Sequence, residues 1–312
     1  MIGKSGKVLI VIYIVCLVVL FLMCSTDLII REPEREIYQI AVIIEDVRSD
    51  NYSNFRKGMD QAAFEFNADV QLITLYEKLD VQEQMELMER EQQDGADALI
   101  VVPVEEEQVS KKQMTIPVIL FRAGVADASG AGNVIIDHEK MGKLLVEKIL
   151  EEQPAETPVY VLTDSTGQSD MDRLFLKGVD AALAEEGCRV QRIMKNEEDR
   201  FWMMLEKIGM EDLEEVVILA ESQEILTEAA GVLDGSEETA RAVRGLYGRG
   251  TTIPILNYLD RGLITGICVT DEFSLGYYSV REAVRALEGA GSVPTVMESY
   301  YIEKKDLRDP AF

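Results

Sequence analysis

The stretch "EDVRSDNYSN", residues 45 to 54, is a run of polar side chains around a single aromatic ring. Ser49 and Asn51 bring compact hydrogen-bond donors and acceptors. Tyr52 adds an apolar face with a hydroxyl at its edge, a surface that can stack on a small polar ring and also hydrogen-bond to it. Asn51 and Ser53 are equally suited to capping a helix, and a tyrosine at a helix start can simply pack, so these roles stand beside ligand binding. A backbone cradle for phosphate is not encoded: the loop has no G-x-G-x-x-G, and the chain has no G-x-x-x-x-G-K-[ST]. Whatever binds here is held by side chains.

The other reactive groups do not assemble into catalysis. Neither G-x-S-x-G nor H-E-x-x-H occurs, and His138 is the only histidine, which leaves it no second imidazole for a relay or a metal. Cys16, Cys24, Cys188 and Cys268 form no C-x-x-C pair. Acid pairs such as Glu151–Glu152 and Glu185–Glu186 read as solvated helix faces. The expectation is a binding protein with no cofactor and no metal, not an enzyme.

The elements that must position these side chains follow from composition and pattern. The 312 residues, 47% of them hydrophobic, are enough to bury a sizeable core, and length alone suggests about two domains. Lys and Arg number 31 against 57 Asp and Glu, a formal net charge of −26 that repels nucleic acid and anionic headgroups and excludes them as partners. At the N-terminus, Lys4 and Lys7 precede seventeen consecutive apolar residues, Val8 to Cys24, close to the roughly 20 that cross a bilayer. With those lysines held inside, everything after Asp27 lies outside the cytoplasm. Phe21, Leu22 and Met23 are bulky where a signal peptidase wants small residues, and Met23 also opposes lipid attachment at Cys24. Residues 1–30 are therefore expected to be an uncleaved transmembrane anchor, with "REPEREI", 31–37, as a short tether.

Beyond the tether, apolar runs of strand length alternate with helical patterns. "YQIAVII", "DVQLITL", "DALIVVP", "PVILFR" and "NVIID" form one series; "PVYVLTD", "CRVQRIM" and "EEVVILAES" begin a second, with a helix expected around "RFWMMLEKIG". Strands this uniformly apolar are covered on both faces, and the alternation gives α/β lobes with parallel, doubly wound sheets and right-handed crossovers. Ligands in such sheets sit beyond the carboxyl ends of the strands, where the loop at 45–54 falls.

The blocks "IAVIIEDVRSDNYSNFRKGMDQAA", "DGADALIVVPVE", "IPVILFRAG", "NVIIDHEKMGK" and "GICVTDEFSLGYYSVREAVRALEG" resemble, in order, those of type 1 periplasmic binding proteins: the ribose- and galactose-binding proteins and the cores of lactose-repressor-like regulators. The resemblance covers roughly residues 38 to 303. It implies two Rossmann-like lobes joined by a three-crossover hinge that closes on a sugar-like ligand. The first lobe would be 38–136 plus 272–292, the second 137–271 plus 293–303, with 304–312 as a tail. The regulators begin with a helix-turn-helix; this chain begins with an apolar segment and is acidic, which points to an exported receptor.

The resemblance also assigns a candidate ligand set. The loop after the first strand contributes Ser49, Asn51 and Tyr52. Arg122 stands where the family carries an acidic or polar sugar contact, a departure that suits either an anionic ligand or a salt bridge. Asp137 matches the aspartate at the first crossover, while His138 replaces an asparagine; both also suit a helix start. In the second lobe the family's sugar-gripping arginine position holds Phe175, with Arg173 two residues earlier; Ser222 and Gln223 replace an Asn-Asp, and Thr270, beside Asp271, replaces a glutamine. A turn at "ILNYLDRG" offers Tyr258 or Asp260. The blocks persist while the sugar-gripping set changes, which leaves open a different ligand or a weakly binding cleft. The implied partners are a small polar, sugar-like ligand and either an ABC importer permease or, alternatively, a membrane histidine kinase that the protein would serve as a sensory accessory.

Overall fold

The computed structural model describes residues 4–25, 37–46, 52–122, 132–154, 156–164, 168–195, 215–291 and 294–308. The chain divides into two units, residues 1–37 and 38–312. The first contains α1 (Lys4–Ser25), whose described side chains, Val8 to Leu22, are exposed. Among the described residues no helix is long and apolar enough to cross a membrane.

The second unit carries two six-stranded sheets. The first contains β1 (Tyr38–Ile43), β2 (Ala68–Ile73), β3 (Ala98–Val101), β4 (Val118–Arg122) and β5 (Val134–Ile136). The second contains β6 (Val159–Asp164), β7 (Val190–Lys195), β8 (Val216–Ala220), β9 (Val243–Arg249) and β10 (Gly266–Thr270). β11 (Thr295–Met297) and β12 (Ser299–Glu303) complete one sheet each, giving the orders β11-β5-β4-β3-β1-β2 and β12-β10-β9-β8-β6-β7. All pairings are parallel except β12 on β10. Every residue of β3 and β8 is buried, as strands covered on both faces require, whereas only Ile193 is buried on the edge strand β7. The helix expected around "RFWMMLEKIG" lies outside the described residues.

The chain crosses between sheets at Asp137, Asp271 and Glu298. The last crossover comes later than the sequence boundary of 292, because Thr295 to Met297 pair in parallel with Val134 to Ile136 and so belong to the first sheet.

Each lobe is organised by one close helix pair. In the first, α2 (Ser53–Phe66) meets the helix after the second crossover, Glu272–Leu287; in the second, α5 (His138–Glu152) meets α6 (Asp170–Glu185). Both contacts use glycine against backbone. A Cβ on Gly58 would lie 1.9 Å from the Phe273 carbonyl oxygen and one on Gly276 2.0 Å from that of Phe55. The other pair repeats the arrangement, with 2.2 Å from Gly142 to Phe175 O and 2.0 Å from Gly178 to Glu139 O. These distances leave no room for a side chain, so the helices sit backbone to backbone and their first turns are held at the inter-lobe opening. The remaining helices are α3 (Val81–Gln93), α4 (Glu106–Lys111), α7 (Gln223–Gly235), α8 (Glu237–Ala242), α9 (Ile253–Arg261) and α10, the Glu272–Leu287 helix.

Candidate ligand cleft

Between the carboxyl ends of the two sheets lies a cavity of about 190 Å³. The first lobe supplies Glu45 and Asp46 from the end of β1, Tyr52 and Phe55 from the start of α2, and Lys78 and Leu79 from the loop after β2. That loop is pinned to β1 by backbone bonds, Leu75 N donating to Asp46 O at 3.1 Å and Leu79 N to Glu45 O at 3.2 Å. Leu79 takes φ 61°, a left-handed conformation unusual for a leucine and consistent with a loop held in place for a purpose. The second lobe supplies Asp172 from α6, Ser222 to Glu224 at the start of α7, and Arg249 to Thr251 after β9.

Two polar centres dominate the walls. In the first, the Tyr52 hydroxyl donates to both Glu45 oxygens, at 2.7 and 2.6 Å, while its ring meets Phe55 edge-on at 5.8 Å. Burial pushes Glu45 up to about 7 and, with the Glu45 carboxylate, holds the Tyr52 phenol well above its ordinary value. In the second, Arg249 pairs with Asp172, donates through Nε to Glu221 O at 2.8 Å, and lies over the Phe175 ring at 4.7 Å. Its Nη1 stands 3.5 Å from His138 Nδ1. Burial, and then the neighbouring Arg249 charge, push His138 down to about 3, so the imidazole is neutral and its Nδ1 accepts from the guanidinium. Glu221, pushed up to about 7 by burial, takes hydrogen bonds from Asp164 N and from Gln168 Nε2, the latter at 2.6 Å, and so ties the ends of β8 and β6 together.

The lobes touch around this cavity. Lys78 faces Glu224 at 3.4 Å, Glu106 N donates to Asp170 Oδ2 at 2.6 Å, and the Thr251 hydroxyl donates to Glu272. Burial opposes the charge on Lys78, but Glu224, Asp46 and Asp172 outweigh it and keep its ammonium above the ordinary lysine value.

A periplasmic binding protein domain model matches residues 40–291, which holds β2 to β10, most of β1 and every wall of the cavity. The chain belongs to this family. The family is one of binding proteins, and the chain is a binding protein rather than an enzyme. Solved structures agree on the fold of the periplasmic binding protein. GanP, a glucose-galactose binding protein from Geobacillus stearothermophilus, is 20% identical with a TM-score of 0.74, covering 88% of this chain and 99% of its own. A carbohydrate transporter solute binding protein from Agrobacterium radiobacter, in complex with D-arabinose, is 15% identical with a TM-score of 0.76, covering 88% and 97%. An ABC transporter periplasmic solute binding protein from Actinobacillus succinogenes, with bound D-allose, is 15% identical with a TM-score of 0.72, covering 86% and 98%. The comparison with curated proteins returns no match.

Of the residues expected in the cleft of this periplasmic binding protein, Tyr52, Ser222, Gln223 and Thr270 line it. Ser222 also caps α7, accepting from Ile225 N at 3.3 Å. Ser49 and Asn51 lie outside the described residues, as does the Arg122 side chain. Tyr52, not Asn51 or Ser53, takes the N-cap position of α2, with no side-chain cap bond. Five expectations are corrected. Arg173 is directed away from the cavity and pairs with Asp170, leaving Asp172 to face it. Asp137 and Asp271 are exposed helix caps, accepting from Lys140 N at 2.8 Å and Ser274 N at 3.0 Å. The "ILNYLDRG" turn is the helix α9, which puts Tyr258 against the second-lobe core and Asp260 in solvent. The groups not anticipated are Glu45, Asp46, Lys78, Asp172, Glu224, Arg249, Thr251 and Glu272.

Proposed function

We propose that this chain is an extracytoplasmic, membrane-anchored solute-binding protein that closes its two lobes on a sugar or related small polar ligand, as the substrate-binding component of an ABC importer. The observation that carries the reading is the cavity between the lobes, walled by the Tyr52 ring and by hydrogen-bonding side chains from both sheets. The sugar class is supported by the D-arabinose and D-allose bound in solved proteins that share the fold. Closure requires a ligand that binds the closed arrangement better than the open one, and groups divided between lobes, Tyr52 on one side and Gln223 on the other, provide that difference. The anchor rests on Lys4 and Lys7 ahead of the apolar run.

A second reading, an accessory that reports ligand state to a membrane histidine kinase, draws on the sequence "REPEREI", residues 31–37, read as a short tether. Deleting the gene and following uptake of the bound sugar separates the two. Lost uptake supports the importer; intact uptake with lost sugar-induced transcription supports the accessory; neither effect overturns both.

A further inference from the structure

The cleft walls carry five carboxylates, Glu45, Asp46, Asp172, Glu224 and Glu272, against two cations, Lys78 and Arg249. Both cations are already committed to carboxylates of the same cleft, Lys78 to Glu224 and Arg249 to Asp172. Local structure explains part of the excess. Asp172 also closes the capping box of α6, accepting from Ser169 N at 2.9 Å.

Glu45, Asp46 and Glu272 remain, and two of them, Glu45 and Glu272, are alike. Each is half-buried on the first-lobe side, and each is met by a neutral hydroxyl, Tyr52 for one and Thr251 for the other. Glu45, Asp46 and Glu272 line the cavity together with the Tyr52 ring, and Glu45 is bonded to the Tyr52 hydroxyl. Carboxylates beside a ring are the chemistry that recognises an ammonium group. The chain itself supplies an example: the Lys78 ammonium enters this cleft, held by Glu224 with Asp46 and Asp172 behind it. A divalent metal is a poorer match, since among the described residues no group of three or more His, Cys, Asp or Glu could hold one.

We infer that the cleft selects a small hydroxyl-bearing ligand with a protonated primary amine, of the amino-sugar class, seating the ammonium at Glu45 and Glu272 beside the Tyr52 ring. The inference rests on the solute-binding reading and narrows it. Hydroxyls of the same ligand would reach Ser222, Gln223 and Thr270.

The test is isothermal titration calorimetry of the full chain in detergent micelles at pH 7. The probes are D-glucosamine and D-galactosamine, neutral D-glucose and D-galactose, and anionic D-glucuronate and D-glucose 6-phosphate. The expected result is an amino sugar bound about tenfold or more tighter than its neutral counterpart, the scale of one charge-assisted hydrogen bond, with no binding of the anions. Glu45→Gln and Glu272→Gln should each lower the ratio of amino-sugar to neutral-sugar affinity about tenfold. A neutral or anionic sugar bound as tightly as the amino sugar would overturn the inference and leave the solute-binding reading standing. Preference unchanged in both variants would overturn the seat assigned to the amine. No binding by any probe would overturn the sugar-binding reading and the inference with it.

Discussion

Replacing Glu45 with glutamine should change how stability depends on pH more than it changes stability itself. Burial raises the Glu45 carboxyl from an ordinary value near 4.5 to about 7, so between those values the folded chain holds a proton that the unfolded chain has released. Stability must therefore fall as pH rises through this window: the contribution is fully present below about 4.5 and is lost above about 7. At 1.36 kcal/mol per pH unit, the full loss is about 3 kcal/mol. Glutamine resembles the protonated carboxyl at every pH and still accepts from Tyr52. Wild type and Glu45→Gln should therefore unfold in urea with nearly equal free energies at pH 5, and wild type should be weaker by about 3 kcal/mol at pH 8. The many surface carboxylates affect both proteins alike and cancel in the difference. Curves that run parallel from pH 5 to pH 8 would show that burial does not raise the Glu45 carboxyl, and the reasoning about the cleft walls would fail with it.

Other outcomes follow from the same geometry. Arg249→Met removes one partner of a pair in which the side chains are only 14% and 17% exposed, and should cost about 3 kcal/mol in urea unfolding, more than the isosteric Asp172→Asn. Gly276→Ala gains helix propensity but drives a methyl to 2.0 Å from the Phe55 carbonyl, so it should destabilise by roughly 2 kcal/mol or more; Gly289→Ala, where nothing lies within 4 Å but φ is +69°, should cost about 1 kcal/mol, both read by thermal unfolding. Tyr52→Phe keeps the ring against Phe55 and loses only the hydroxyl, so the domain should remain within about 1 kcal/mol of wild type while ligand affinity, measured by titration calorimetry, weakens several-fold.

The sequence announced the fold more clearly than the cleft. Strands such as β3 and β8 are buried along their whole length, so their composition alone marks them as central, and the crossovers at Asp137 and Asp271 fall between clear strand and helix signals. The late crossover at Glu298 was less visible because a three-residue strand such as Thr295–Met297 has too little pattern to declare its sheet. Side-chain direction was harder still. On a helix each residue turns about 100°, so a one-residue difference exchanged Arg173 for Asp172 at the cavity. Arg249 ends "VRGLYGR", a strand whose charges and glycines weaken its apolar pattern although its centre is buried. At "ILNYLDRG" the helix signals were present, Pro254 in the first turn and Gly262 at the end with φ 80°, but the resemblance to a turn outweighed them. Tyr52 was legible from its place after the first strand, at the carboxyl end of the sheet, where it lines the cavity.

The central claim is that the cavity between the lobes is a ligand site with Tyr52 in its wall, and a thermal-shift measurement on the full chain, wild type beside Tyr52→Ala, tests it most directly. With neutral and amino monosaccharides in the panel, a sugar present at about 100 times its dissociation constant should stabilise wild type by about 2.7 kcal/mol, a rise of several degrees, and should leave a folded Tyr52→Ala variant unmoved. An equal shift in both proteins, or none across the panel in wild type, would contradict the account.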